Sequence, residues 1–212
     1  MIVYGDARSG NCYKIALLAS HLSLPLEWRE IDVLSGQTRQ PWFLRMNPFG
    51  KLPVVQLDDG TYLAESNAVL IHLAQHSTWW PTAPLDQARV LQWLFWEQYS
   101  HEPYIATSRF WLTISGRPEA FRAQLADRHP GGNAALDVLD AHLATHPWLV
   151  GRSPTVADIA LYAYTHVAHE GGFDLAPRPA LRAWLQRMQD TPGHAAMRSP
   201  GPHWSPPQGP MA

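Results

Sequence analysis

The sequence predicts an α/β domain followed by an all-helical one. Three observations predict it. Apolar runs of strand length occur only before residue 65, and helical apolar spacing takes over after residue 86. Between them lies a stretch rich in tryptophan, proline and hydroxyl residues, Ser77-Thr78-Trp79-Trp80-Pro81-Thr82.

Residues 1–5 read as a strand through Ile2, Val3 and Tyr4. Residues 12–23 read as a helix with Ile15, Leu18 and Leu22 on one face, and 26–33 as a second strand. A loop at Ser35-Gly36-Gln37-Thr38 leads to a short helix over 41–46. Residues 53–57 and 61–64 form strands joined by a hairpin turn at Asp58-Asp59-Gly60, and 66–75 is a helix. The order βαβαββα is that of a thioredoxin-like fold, with the first strand pair parallel and the second antiparallel. Domain limits follow at 1–76, a linker at 77–85, a helical domain at 86–191 and a Pro/Gly-rich tail at 192–212. Within the helical part, 86–115 and 118–146 read as long helices, the second broken at His129-Pro130-Gly131-Gly132. Thr155-Val156-Ala157-Asp158 is a capping box that opens an apolar helix over 159–169, and 179–189 is the last helix. The tail should lack regular structure.

Composition narrows the function. With 46% hydrophobic and 16% charged residues, the 212-residue chain buries a sizeable core and is not of disordered type. A net charge of −2 lacks the basic footprint of a nucleic-acid binder. No apolar run approaches the roughly 18 residues that a membrane span needs. No basic segment followed by an apolar stretch opens the chain, so no signal peptide is expected. Cys12 is the only cysteine, which excludes an internal disulfide and fits a reducing, cytoplasmic setting.

Ser9-Gly10-Asn11-Cys12 lies at a strand-to-helix turn, where unpaired N–H groups and the helix dipole favour an anion. Such a turn suits a thiolate. A free thiol has a pKa near 8.5. Ionising it at neutral pH needs a fall of about two units, or about 2.7 kcal/mol. A hydrogen bond to a charged acceptor contributes about 1.5–3 kcal/mol and a helix N-terminus about 0.3–2. Ser9 and the dipole together therefore suffice, and Asn11 offers a second donor. The ordinary reading of both is a helix cap. Cys12, at the second position of a Ser-x-x-Cys turn, reads as a buried structural thiol. Pro53 has no N–H and opens a strand, so the Leu52 backbone is free to pair with an extended peptide, with Lys51 beside it for a carboxylate. Glu65-Ser66 opens a helix with an acceptor for an amino group and donors for a carboxylate, which together match the amino-acid end of a γ-glutamyl group. A capping pair is the ordinary alternative.

Ser9-x-Asn11-x-x-Lys14, Asn47-Pro48-x-Gly50-Lys51-Leu52-Pro53, Glu65-Ser66-Asn67-Ala68-Val69-Leu70 and Thr155-x-x-Asp158 resemble the cytosolic glutathione transferases, in particular serine-type, theta- or nu-like bacterial members. The resemblance covers nearly all of the chain before the tail. It implies a cis-proline at Pro53, a homodimer, and glutathione as co-substrate with no metal or other cofactor. By that similarity Ser9 stabilises the glutathione thiolate and Asn11 assists it. Lys51, Leu52, Pro53, Glu65 and Ser66 bind the tripeptide, with Gln37 or Arg39 at its glycine end. Tyr4, in the first strand, is the lesser candidate. The second substrate, a hydrophobic electrophile, is expected between the domains against His101, Tyr104, Ser108 and Trp111, which recur at intervals of three or four. Packing of that face against a partner helix is the competing reading. The eleven histidines include helix-compatible pairs, His142/His146 and His166/His169, but no H-E-x-x-H, so no metal site is expected.

Three functions fit. The first is thiolate attack on an electrophilic carbon. The second is glutathione-dependent disulfide or peroxide reduction, towards which Asn11 leans. The third is a non-catalytic, transferase-like binding protein, against which the retained Ser9 and Glu65-Ser66 argue.

Overall fold

The computed structural model describes residues 1–204. The chain divides into two compact units, Met1–Leu73 joined by the chain from Ala195 onward, and Ala74–His194.

In the first unit, β1 (Ile2–Gly5), α1 (Gly10–His21), β2 (Glu27–Glu30), α2 (Pro41–Met46), β3 (Val54–Gln56), β4 (Tyr62–Ala64) and α3 (Ser66–Ala74, ending one residue beyond the unit) follow the order read from the sequence. The sheet runs β2-β1-β3-β4, with β1 and β2 parallel and the β1·β3 and β3·β4 pairs antiparallel. The register sets Val3 opposite Val55 and Tyr4 opposite Val54. Alternation then sends each pair to its own face. Val3 and Val55 pack with Ile15 and Val69, whereas Tyr4 and Val54 pack with Ile31, Phe43 and Met46. The Asp58-Asp59-Gly60 turn closes through the Gly60 N–H to Leu57 O, with Gly60 at φ 86.

The tail has no helix or strand over residues 192–204, yet it is docked on the first unit. The Tyr13 hydroxyl donates to Ala195 O at 2.7 Å. Arg198 lies 5.5 Å above the Trp28 ring. The Trp204 N–H donates to Glu30 O at 2.6 Å, at the end of the edge strand β2. That contact covers backbone that would otherwise be an open sheet edge. The rest of the tail expectation, residues 205–212, lies outside the described residues.

The second unit contains α4 (Pro84–Trp96), α5 (Glu102–Arg109), α6 (Arg122–Leu143), α7 (Val156–Thr165) and α8 (Pro179–Gln189). Prolines open α2, α4 and α8, where a missing N–H costs nothing. Every residue of α7 is buried. The helix expected over 86–115 is one run interrupted by wide π turns at Glu97–His101 and Phe110–Ile114. Pro103 has no N–H for the carbonyl four residues back, and the chain widens just before it. The break expected at residues 129–132 does not occur, because α6 runs through Pro130. Gly131 and Gly132 serve close packing instead: a Cβ would strike the Tyr104 ring at the first and the Phe173 ring at the second.

Candidate active site

β1 delivers the chain to a four-residue turn held almost entirely by carboxylates. Asp6 accepts from the Arg8 N–H and Nε at 2.9 Å each, from Arg8 Nη2 at 2.6 Å and from the Val33 N–H at 3.3 Å. Burial pushes the Asp6 carboxyl up, but the Arg8 hydrogen bonds outweigh it and hold it below the usual carboxylate range. Glu30 accepts from the Ala7 N–H at 2.8 Å and from Trp28 Nε1 at 2.7 Å. Ser9 then caps α1 with φ −82 and ψ 124, its Oγ accepting from the Cys12 N–H at 3.4 Å. The Ser9 side chain also hydrogen-bonds the Cys12 thiol. No acidic residue lies in the first turn of α1, so the positive end of the helix dipole is not neutralised there.

Cys12 is fully buried, and burial pushes its thiol up to about 12. It stays protonated at neutral pH and is no nucleophile. Tyr4 belongs to the opposite face: its hydroxyl accepts from Arg29 Nη1 at 2.8 Å and donates to Gln56 Oε1 at 3.4 Å.

The first turns of α1 and α3 meet through a polar cluster. The Ser66 hydroxyl donates to Asn11 Oδ1 at 3.1 Å. Lys14, fully buried, sends its Nζ to Ser66 Oγ at 3.4 Å and to Asn67 Oδ1 at 3.2 Å. Asn11, two residues along α1 from the Ser9 cap, is thus brought together with Ser66 and Asn67 around the buried Lys14. Glu65, exposed, holds φ 66, a left-handed conformation unusual for a residue with a side chain. Such backbone costs about 1–3 kcal/mol and is a mark of functional constraint.

The loop before β3 is built by Asn47, which is buried. Its Nδ2 donates to Lys51 O at 2.8 Å, and its Oδ1 accepts from the Phe49 N–H at 3.1 Å. Lys51 is exposed, and the Leu52–Pro53 bond is cis. Gly50 has φ 61, and a Cβ there would come within 2.5 Å of Arg39 Nη1 and 3.1 Å of Thr38 O. Arg39 therefore lies against the backbone beside Lys51. Gln37 is committed elsewhere, with its Oε1 on the Asp32 N–H at 2.7 Å and its Nε2 on Trp204 O at 2.9 Å.

Of the residues expected to share one helical face in the second unit, Tyr104 and Trp111 line a cavity of about 340 Å³ with Gln124, Asp127 and Arg128. His101 and Ser108 are fully buried, His101 Nε2 facing Thr165 Oγ1 at 3.0 Å. Residues seven apart share a side of α5, so His101 and Ser108 face the interior while Tyr104 and Trp111 lie about 60° round the helix. Among the described residues no group of three or more metal-ligating side chains forms. No described helix is long and apolar enough to cross a membrane.

Sequence reasoning did not assign roles to Asp6, Glu30 or Asn47, and it quoted Lys14 only as part of a motif. A charged residue among apolar helix neighbours was the available signal for Lys14.

Two family models match the chain: "Glutathione S-transferase, N-terminal domain" over residues 8–76 and "Glutathione S-transferase, C-terminal domain" over 122–187. A crystal structure of a glutathione S-transferase from Pseudomonas fluorescens superposes with a TM-score of 0.91 at 52% identity, covering 93% of this chain and 98% of that one. Glutathione S-transferase theta-3 of Mus musculus is 30% identical over 208 residues, 91% of this chain and 83% of that protein. Disulfide-bond oxidoreductase YfcG of Escherichia coli is 27% identical over 202 residues, 91% and 93% of the two chains.

Proposed function

This chain belongs to the glutathione S-transferase family, and from that premise we propose that it is a glutathione transferase whose Ser9 hydroxyl holds the tripeptide's sulfur as the thiolate. The observation that carries the reading is the meeting of Asn11 and Ser66 around buried Lys14, directly after the Ser9 cap of α1. Ser9 donates to the thiolate, the N-terminus of α1 adds its dipole, and Asn11 supplies a second polar contact. Ser66, at the N-terminus of α3, receives the γ-glutamyl carboxylate, and Glu65 its ammonium. The Leu52 backbone pairs with the cysteinyl unit ahead of Pro53, and Lys51 with Arg39 meets the glycine carboxylate. The glutathione S–H proton leaves to solvent. The thiolate then forms a C–S bond with a hydrophobic electrophile, whose leaving group departs with its electron pair. Glutathione supplies the sulfur, and no resident cofactor enters the scheme. Tyr104 and Trp111 offer apolar surface for the electrophile.

The working form is a homodimer. Phe95 at the end of α4 and Tyr99 in the π turn that follows are 71% and 85% exposed, and an apolar pair so presented suits a second copy. The buried single thiol fits a cytoplasmic, reducing location.

Ser9→Ala tests the reading. The absorbance titration of bound glutathione thiolate should move up by one pKa unit or more while glutathione still binds. An unmoved titration defeats the role. A second reading, reduction of disulfides by the same thiolate, is favoured by Asn11 and by the likeness to YfcG. A panel of a chloro-nitroaromatic, a hydroperoxide and a mixed disulfide decides between the two.

A further inference from the structure

The tail closes a ring of hydrogen bonds around the site. Trp204 gives its N–H to Glu30 O at 2.6 Å and accepts at its own carbonyl from Gln37 Nε2 at 2.9 Å. Glu30 holds Ala7, whose neighbour Arg8 pairs with Asp32 at 3.2 Å, and the Asp32 N–H returns to Gln37 Oε1 at 2.7 Å. The Ser9 turn and the loop between β2 and α2 are therefore tied into one circuit by a residue far away in sequence. The Trp204 ring anchors it, edge-on to Tyr4 at 5.4 Å and to Trp42 at 5.6 Å, with the Arg29 guanidinium 4.9 Å from its centre.

We propose that Trp204 is a positioning residue for glutathione binding, acting through Gln37. Both ends of the Gln37 amide are spent on Asp32 and Trp204, which makes it a bracket and not a ligand. It opens the 3-10 turn Gln37–Arg39, whose last residue reaches the Gly50 backbone. On the other side stands Gly36, at φ 76 with open space beside its Cα, whose carbonyl closes the turn by accepting the Arg39 N–H at 2.9 Å. With Trp204 seated, the turn starts from a fixed point and Arg39 stays beside Lys51. With Trp204 released, Arg39 loses its register and the tripeptide's glycine end loses a partner. The effect falls mainly on binding, because the Ser9 N–H is held by Asp6 O at 2.9 Å, a contact Trp204 does not touch.

The proposal rests on the transferase reading above, and its test keeps the two apart. Trp204→Ala, Trp204→Phe, Gln37→Met and the double variant Trp204→Ala/Gln37→Met are made in the full chain. Trypsin cleavage after Arg198 reports release of the tail. Trp204→Ala and Gln37→Met should each raise the glutathione KM by about three- to tenfold, the worth of one hydrogen bond. The kcat, the second-substrate KM and the pKa of bound glutathione should stay within twofold or within 0.3 units of wild type. Trp204→Phe should restore most of the affinity, and the double variant should be no worse than either single one. A flat or lowered glutathione KM in Trp204→Ala, despite faster trypsin cleavage, overturns the proposal. So does a fall in kcat with KM unchanged, which a merely structural role would give. If wild type itself fails to bind glutathione at millimolar concentration, the transferase reading falls and this inference with it.

Discussion

The N-termini of α1 and α7 start from the same chemistry and end in opposite states. Each is capped by a hydroxyl residue, Ser9 or Thr155. At α7 the chain supplies its own anion: Asp158, fully buried, accepts from the Thr155 N–H at 2.8 Å, the Thr155 hydroxyl at 3.2 Å, the Leu149 N–H at 3.1 Å and Trp184 Nε1 at 3.0 Å. At α1 no acid follows the cap, and the Ser9 side chain meets the Cys12 N–H at 3.4 Å and the Cys12 thiol. One terminus is satisfied from within and serves stability. The other has no acid of its own in its first turn, as the proposed thiolate site requires.

Replacing the internal anion should have the largest effect. In Asp158→Asn one carboxylate oxygen becomes an NH2 that confronts buried donors, and each unsatisfied donor costs about 1–3 kcal/mol. The expected loss is about 3 kcal/mol, read from the urea midpoint. A loss below about 1 kcal/mol would erase the contrast between the two termini.

His166, at the other end of α7, sharpens the picture. A helix C-terminus favours a charged histidine, yet burial lowers its pKa from 6.5 to about 4. Its contribution to stability is therefore full above pH 6.5 and is lost as pH falls towards 4, a difference of about 3 kcal/mol. Burial pushes Asp158 up to about 6, so over pH 6 to 4 that residue acts in the opposite sense. The difference between wild type and His166→Gln isolates the histidine: the variant should lose less stability over that range. Parallel stability–pH curves would contradict the assignment.

The smallest effect makes α1 resemble α7. Asn11→Asp places an acid in the first turn of α1, which should stabilise the fold by about 0.3–1 kcal/mol. The same charge should raise the pKa of bound glutathione and slow turnover. A lowered thiol pKa would show that this terminus does not act on the sulfur.

The sequence carried the local elements well. Pro179 and the apolar spacing marked α8 at the bounds observed, and Asp58-Asp59-Gly60 marked the hairpin. The Ser9 cap was legible because caps are local signals, whereas the meeting of Asn11 and Ser66 over Lys14 depends on how α1 and α3 pack. The reading failed where tertiary packing overrides local preference. Proline and two glycines suggested a break in α6, but the rings of Tyr104 and Phe173 need the space that the glycines leave. Nothing local to Gln37 reveals that Trp204 returns to meet its side-chain amide.

The sealed position of Cys12 has a consequence for durability. A protein that gathers reactive electrophiles and activated sulfur at one spot is exposed to its own chemistry. Here the sole cysteine sits out of reach and protonated, a few residues from the reacting centre. Neither thiol alkylation nor mixed-disulfide capture has an accessible cysteine on this chain, so turnover should outlast a thiol-selective iodoacetamide treatment without loss.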